Sequence, residues 1–202
     1  MTLTVSTTMA DYQEELRLDF MMDLDDDAFY DFCQRNPELR FERNPDGTII
    51  IMPLTGGKTG IRNSELSFEL VLWNRTNRLG QVFDSSTGFR FPNGAMRSPD
   101  IAWISNHKWD TLTGQQQEKF PPIAPDFVIE LMSATDKLKT SQEKMREYIE
   151  NGVLLAWLIN PKSEETYIYR NDGTVHLVTG FENNLSGEDV LENFEFNLKL
   201  LR

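Results

Sequence analysis

Two acidic residues of the chain lie in apolar surroundings, where a carboxylate is costly to bury. Asp100 precedes the apolar stretch 101–104, and Glu130 lies inside the apolar stretch 127–132. A buried carboxylate has to be paired, protonated or bound to a cation. Hard cations such as Mg²⁺ prefer oxygen ligands, so Asp100, Glu130 and the main-chain carbonyl of Leu131 are candidate ligands of one metal site if their strands are neighbours. A buried ion pair or a surface edge strand is the alternative.

A glutamate and three lysines are candidates to complete such a site. Glu65 is expected in the first turn of a helix, where an acid also complements the helix dipole, so its type alone assigns it no role. If the following helix begins at Ser141, Lys144 lies in its first turn, where a cation is unfavourable by about 0.3–1 kcal/mol. If that helix begins near Lys137, Lys144 is mid-helix and the argument disappears. Lys139 and Lys137 are candidates of the same type, and a solvated helix face is the alternative for all three.

Common nucleotide-binding and catalytic motifs are incomplete in this sequence. Gly57-Lys58-Thr59 resembles the end of a phosphate-binding loop, but Met52 stands where that loop requires its first glycine. No G-x-S-x-G motif is present, and His107 and His176 are isolated. We therefore expect no nucleotide cofactor, no serine-hydrolase site of that type and no histidine-rich zinc site.

Helix and turn signals predict the elements that position these residues. Helices are expected at about 25–36, at 63–78, within 105–124, and from a start between 135 and 140 to about 152. Strands are expected at 39–43, 48–52, 81–84, 88–91, 98–104, 126–132, 153–159, 166–170 and 175–178. This order predicts an α/β (α+β) fold with a mixed central sheet flanked by helices and with additional β-hairpins.

Strand alternation assigns the residues of the stretch 126–132 to two faces of the sheet. Phe127, Ile129 and Leu131 are expected on one face. Glu130 is expected on the other face, with the even-numbered residues of the same strand. The candidate metal ligand therefore shares its face with apolar neighbours.

Several segments, together and in order, resemble the Uma-type restriction endonuclease family of the PD-(D/E)XK nuclease superfamily. The superfamily pattern is a Pro-Asp strand followed by a carboxylate on the next core strand, here Pro99-Asp100 and Glu130. The resemblance covers the chain from Asp25 onward. Its segments are Asn44-Pro45-Asp46-Gly47, Thr55-Gly56-Gly57-Lys58-Thr59-Gly60, Gly88-Phe89-Arg90, Ser98-Pro99-Asp100-Ile101-Ala102-Trp103, Pro125-Asp126-Phe127-Val128-Ile129-Glu130-Leu131, Glu143-Lys144-Met145-Arg146-Glu147-Tyr148, Gly152 and Trp157-Leu158-Ile159-Asn160-Pro161.

The resemblance implies a restriction-endonuclease-like core and a metal-dependent endonuclease that hydrolyses phosphodiester bonds, with DNA as the expected substrate. It implies that Asp100 and Glu130 bind Mg²⁺ (or Mn²⁺) and that Glu65 assists. The superfamily lysine is expected two residues after the glutamate, where this chain has Met132. In the Uma-type family that lysine lies on the following helix, which points to Lys144.

Two other classes of function stay open at this point. A catalytically silent nuclease fold that binds nucleic acid or a protein would keep the fold but tolerate loss of Asp100 or Glu130. A dimeric structural or regulatory protein would engage a partner through an acidic arm and show neither metal nor DNA affinity.

Composition and charge restrict the classes of function that the chain can have. The chain has 202 residues and a net charge of −12, which argues against nonspecific coating of nucleic acid. Residues 1–31 carry nine acidic residues and one cationic residue, whereas 32–150 carry fifteen of each, so the imbalance does not exclude a nucleic-acid enzyme. The longest apolar run, 153–159, is too short to span a membrane. With one cysteine and no secretory signal, the cytoplasm is the expected location.

The domain organisation is expected to be an acidic arm, 1–24, followed by one domain, 25–202. The arm contains a short amphipathic cluster, and such a patch usually finds a partner surface. We therefore expect a homodimer with a two-fold interface. The residues of the cluster are Leu16, Leu18, Phe20, Met21 and Met22.

Overall fold

The computed structural model describes residues 17–18 and 24–202. Its five α-helices are α1 (Asp26–Arg35), α2 (Gly57–Asn77), α3 (Asn106–Trp109), α4 (Gly114–Glu118) and α5 (Leu138–Glu150), and a 3₁₀ turn closes the chain at Leu198–Leu201. Its strands are β1 (Arg17–Leu18), β2 (Arg40–Arg43), β3 (Ile49–Met52), β4 (Gly80–Asp84), β5 (Phe89–Arg90), β6 (Met96–Arg97), β7 (Ile101–Ser105), β8 (Phe127–Leu131), β9 (Leu155–Asn160), β10 (Glu165–Arg170), β11 (Val175–Thr179), β12 (Asn184–Ser186) and β13 (Glu195–Asn197).

The central sheet has six strands in the order β11-β10-β9-β8-β7-β4. Strands β8 and β9 are parallel, while the other neighbouring pairs are antiparallel. A parallel pair needs a crossover, and α5 supplies it between β8 and β9. The predicted mixed sheet flanked by helices is therefore confirmed.

Apolar side chains cover both faces of the central sheet. On one face Leu66 and Leu70 of α2 pack with Phe127 and Ile129 of β8. On the other face, Met145 and Tyr148 of α5 pack with Val128. The alternation predicted along β8 is confirmed, and it places Glu130 on the α5 face.

A second sheet, in the order β1-β3-β2-β6-β5, carries the N-terminal part of the chain. Helix α1 packs on it through Phe29 and Phe32, with Asp25 as the helix N-cap. Strand β6 pairs with β2 and leads within four residues into β7 of the central sheet. The N-terminal sheet is thereby held beside the strand that follows Asp100.

Of the predicted arm 1–24, the structure describes Arg17–Leu18, whose backbone pairs with β3 of the same chain, and Leu24. The apolar cluster predicted for dimer contact otherwise lies outside the described residues. Within residues 17–18 and 24–202, no helix is both long and apolar enough to cross a membrane.

Helix α2 begins earlier than predicted, whereas the start of α5 lies within the predicted range of 135 to 140. Helix α2 begins at Gly57 rather than near Asn63, so residues 57–62 add more than one turn to its start. Helix α5 begins at Leu138 with Lys137 as N-cap. Lys144 is therefore mid-helix, and the argument from an unfavourable first-turn cation does not apply to it.

Candidate functional site

Asp100 and Glu130 lie at the same end and on the same face of the central sheet. Strands β7 and β8 pair with Ile101 opposite Ile129, and one further step of this antiparallel register places Asp100 opposite Glu130. The Oδ2 atom of Asp100 accepts a hydrogen bond of 2.8 Å from the main-chain N–H of Leu131. The strands are therefore neighbours, as the metal-site hypothesis requires.

Lys144 reaches Glu130 from the crossover helix. Its Nζ lies 2.8 Å from Glu130 Oε1 and 2.9 Å from Glu42 Oε1. The crossover packs α5 back over β8, so a lysine on the inner side of α5 meets the carboxyl end of that strand. The hydroxyl of Tyr148, one turn further along α5, donates to the same Glu130 oxygen at 2.6 Å. The structure thus brings together three of the predicted residues, Asp100, Glu130 and Lys144.

Glu42, on β2 of the N-terminal sheet, is a site residue that the sequence analysis missed. Its side chain is buried, accepts a 2.9 Å hydrogen bond from the Ser98 N–H, and pairs with Lys144 and with Arg97 at 3.4 Å. The one signal in the sequence is the alternation of the apolar Phe41 with the acidic Glu42 along β2. It indicates that the two side chains lie on opposite faces of the strand. The partner of Glu42 lies about a hundred residues away, so no local pattern identifies the pair.

Arg97 connects Glu42 to α5. Its Nε and one terminal nitrogen donate to the two carboxylate oxygens of Glu147, at 2.7 and 3.1 Å. A two-point guanidinium–carboxylate contact fixes both position and orientation. Since Glu147 lies three residues after Lys144, this contact also holds the part of α5 that carries the lysine.

Helix α2 contributes Asn63 rather than Glu65 to the neighbourhood of Asp100. The Asn63 amide nitrogen donates to Asp100 Oδ1 at 3.3 Å, and its Oδ1 atom is buried without a hydrogen-bond partner. Residues two apart on a helix point about 200° apart, so Glu65 leaves the other side of α2. Within the described part of the chain the Glu65 side chain makes no hydrogen bond or ion pair, and the structure does not bring it to the other three residues.

Burial and neighbouring charge shift the titration of the site. Burial raises the pKa of Glu130 to about 7, and the charges of Asp100 and Glu42 add to the rise against the opposing effect of Lys144. Burial likewise raises the pKa of Asp100.

At Lys144 and Glu42 the neighbouring charges together outweigh the effect of burial on the pKa. Burial alone would lower the pKa of Lys144, but the carboxylates of Glu130 and Glu42 outweigh it and raise that pKa. Burial would raise the pKa of Glu42, but Lys144 and Arg97 outweigh it and lower that pKa. The raised pKa of Lys144 favours its charged ammonium form at neutral pH.

The donor set fits a hard divalent cation. The described residues contain no group of three or more histidine, cysteine, aspartate or glutamate side chains that could hold a metal ion. What they offer is two carboxylates with raised pKa values, Asp100 and Glu130, and beside them the unpartnered amide oxygen of Asn63. A site with so few oxygen donors suits Mg²⁺, because Mg²⁺ keeps several of its water ligands.

The other candidate lysines lie away from the carboxylates. Lys137 is the exposed N-cap of α5, and Lys139 is exposed and lies 3.9 Å from Glu143 on its own helix. Neither contacts Asp100 or Glu130. Of the three lysines, the geometry selects Lys144.

Comparisons with known proteins point to one family. Residues 26–199 match the model of the Uma2 family, described as "Putative restriction endonuclease". The structure resembles the crystal structure of a putative nuclease belonging to DUF820 from Anabaena variabilis ATCC 29413, with a TM-score of 0.68 and 20% sequence identity over 80% of this chain and 88% of that chain. At this identity the likeness establishes the fold. No curated protein sequence matches the chain at a significant level.

Proposed function

The chain belongs to the Uma2 family of putative restriction endonucleases, and from this premise we propose that it is an endonuclease that hydrolyses phosphodiester bonds in DNA with Mg²⁺ or Mn²⁺ as cofactor. The observation that supports the proposal is the Lys144 ammonium, on a side chain that is 18% exposed, which contacts Glu130 beside Asp100. The family description supports DNA as the substrate. Two acids that can bind a cation and one lysine that can stabilise developing charge are groups that metal-assisted phosphodiester hydrolysis uses.

Asp100 and Glu130 are the proposed cation ligands, with the amide oxygen of Asn63 and the main-chain carbonyl of Leu131 as further oxygen donors. When bound, a divalent cation there would lower the pKa of a water molecule and neutralise charge on the scissile phosphate. Glu130 binds it as the carboxylate, so cation binding requires loss of the proton that burial favours at low pH.

In the proposed reaction a water oxygen forms a bond to phosphorus while the bond from phosphorus to one sugar oxygen breaks. The water gives up a proton and the departing sugar oxygen gains one, which leaves a phosphate end and a hydroxyl end. Lys144 donates a hydrogen bond to a non-bridging phosphate oxygen and stabilises the charge that develops on it. Its raised pKa keeps it charged for this role.

Glu42 is the proposed positioning residue for Lys144. A divalent cation held by Glu130 would offset the charge of that carboxylate and weaken its attraction for Lys144. Glu42 then retains the ammonium, because its own position is held by the Ser98 N–H and by Arg97. A lysine held from one side keeps its remaining N–H groups available for the phosphate.

The test is the cleavage of supercoiled plasmid DNA with Mg²⁺, with Mn²⁺ and with EDTA. We expect metal-dependent nicking by the wild type and none by Asp100→Asn, Glu130→Gln or Lys144→Met. The matched control is Lys139→Met, which changes an exposed lysine of the same helix and should leave cleavage unchanged. Glu65→Gln examines the assistance predicted for Glu65. Single-stranded DNA and RNA of the same sequence test the choice of substrate.

A catalytically silent nuclease fold is the second candidate, and the double pairing of Lys144 with Glu42 and Glu130 favours it, since the amine is already engaged. That candidate expects DNA binding that survives Asp100→Asn and Glu130→Gln, and no cleavage under any metal. Cleavage that Asp100→Asn leaves intact would contradict the proposed site altogether.

A further inference from the structure

Helix α2 exposes a stripe of large apolar side chains on the side opposite to the core. Ile61, Phe68 and Leu72 are 66%, 59% and 48% exposed, and the other face of the same helix packs into the core through Leu66 and Leu70. Spacings of seven and four residues put the three on one line along the helix. Large apolar side chains exposed together on one helix face indicate an interaction site.

Two charged residues interrupt the stripe, and their side chains have no partner within the described residues. Glu65 and Arg75 lie on the same line, at the three- and four-residue spacings typical of the seam between packed helices. Ten residues of helix separate them by about 15 Å, so they cannot pair with each other inside one chain. Neither makes a hydrogen bond or ion pair in the part of the chain that the structure describes.

The stripe is symmetric about residue 70. Phe68 and Leu72 are equally distant from that residue, and so are Glu65 and Arg75. Two copies of α2 that pack antiparallel about a two-fold axis at residue 70 therefore place Phe68 against the partner's Leu72, and Glu65 against the partner's Arg75. The same operation generates each contact twice.

We propose that the occupant of this face is a second copy of the chain, packed through antiparallel α2 helices. The argument for that occupant is self-complementarity: opposite charges meet opposite charges and apolar side chains meet apolar side chains under one two-fold rotation. Leu79, which follows the left-handed C-cap residue Arg78, is also exposed and adds apolar surface at the end of the helix. This assigns the predicted homodimer to α2, and Glu65 to its interface.

The interface leaves the candidate catalytic site open. Asn63 points from α2 toward Asp100, while the stripe lies along the other side of the helix. The dimer therefore carries two sites related by the two-fold axis. The inference does not depend on cleavage activity, because its test measures only mass.

The experiment is sedimentation velocity of the full chain between 1 and 100 µM, with circular dichroism to confirm folding of each variant. The wild type is expected at twice the chain mass of 23.4 kDa, and Phe68→Glu at the mass of one chain. Leu177→Glu, at an exposed apolar position on β11, is the matched control and should stay dimeric.

Charge exchange provides a second test that does not depend on Phe68. Glu65→Arg and Arg75→Glu alone each place like charges across the interface and should weaken association at least tenfold. The double variant restores opposite charges and should recover the wild-type dissociation constant. A monomeric wild type at 100 µM, a dimer that persists in Phe68→Glu, or a double variant no better than the single variants would each overturn the assignment.

Discussion

The site cluster and the C-terminal part of the chain contain the same kinds of ion pair in different surroundings. Lys144 bridges Glu42 and Glu130 with side chains that are 4–18% exposed, while Arg202 bridges Glu164 and Glu182 with side chains that are 41–62% exposed. The separations are similar in both, from 2.5 to 3.3 Å. Distance therefore does not distinguish them, and burial does.

Burial changes what an ion pair costs and what it contributes. Exposed pairs are screened by water and constrain flexible side chains, so they contribute little. Buried pairs lose hydration of both partners, and an apolar replacement is often at least as stable. The cluster around Lys144 is thus poorly explained by stability alone, which supports a role in chemistry. The C-terminal pairs need no such role.

Removing the central cation is the change with the largest expected effect. Lys144→Met leaves Glu42 and Glu130 as neighbouring buried acids, so we expect a loss of about 3 kcal/mol in unfolding free energy, the lower end for a broken buried pair because Lys144 retains some exposure. Cleavage should fall at least about 10²-fold. Urea denaturation and plasmid nicking measure the two effects. Unchanged stability of the variant would mean that the ion pairs of Lys144 contribute as little as the exposed pairs, which would contradict the difference proposed between the two regions.

The elements around the site could largely be predicted from the sequence, because each depends on local patterns. The alternation of residues along β8 predicted the face of the sheet on which Glu130 lies. The acidic N-cap and first turn of α1 predicted where that helix begins. What could not be predicted depends on contacts between distant segments. Glu42 reaches Lys144 only because β6 joins the N-terminal sheet to β7, and Glu65 turns away from Asp100 because α2 is rotated to bury Leu66 and Leu70.

The second effect is a pH dependence that the exposed pairs do not produce. The pKa of Glu130 rises from 4.5 to about 7 on folding, so between these values the folded state holds a proton that the unfolded state has lost. Stability due to this group is present below pH 4.5 and is lost as pH rises to about 7, by about 3 kcal/mol. Glu130→Gln should remove that decline. Urea unfolding from pH 4.5 to 8 measures it, and parallel curves for the two proteins would show that Glu130 does not titrate as expected.

Divalent cations should stabilise the folded protein through the site cluster and not through the C-terminal ion pairs. Mg²⁺ or Mn²⁺ at millimolar concentration should raise the melting temperature by mass action, and more at pH 8 than at pH 6, since Glu130 must lose its proton to bind. Asp100→Asn and Glu130→Gln should reduce the shift. Glu188→Gln, which removes an ion pair with Arg170 away from the site, is the control. A shift equal in all variants would locate the cation elsewhere.

Glu42→Gln should have a smaller effect on stability and a distinct effect on the cation. The amide oxygen can still accept from the Ser98 N–H, so we expect a loss of about 1.5–2 kcal/mol, the lower part of the range for a hydrogen bond to a charged group. Without Glu42 the ammonium of Lys144 has Glu130 as its one remaining carboxylate and competes there with the cation. The apparent Mg²⁺ affinity, followed by thermal shift, should therefore fall. An unchanged affinity would reduce Glu42 to a structural residue.

The smallest effect on stability is expected for the most exposed ion pairs. Arg202 contacts both Glu164 and Glu182, and Lys199 also pairs with Glu182, so a count of salt bridges would make Arg202→Gln costly. Water screens all four side chains, and each pair restricts long side chains that are otherwise free. We therefore expect the urea midpoint of Arg202→Gln to equal that of the wild type, in low and in high salt. A midpoint lowered as far as in Lys144→Met would mean that separation, not burial, decides the energetics of ion pairs in this fold, and the inference of function from the buried cluster would lose its basis.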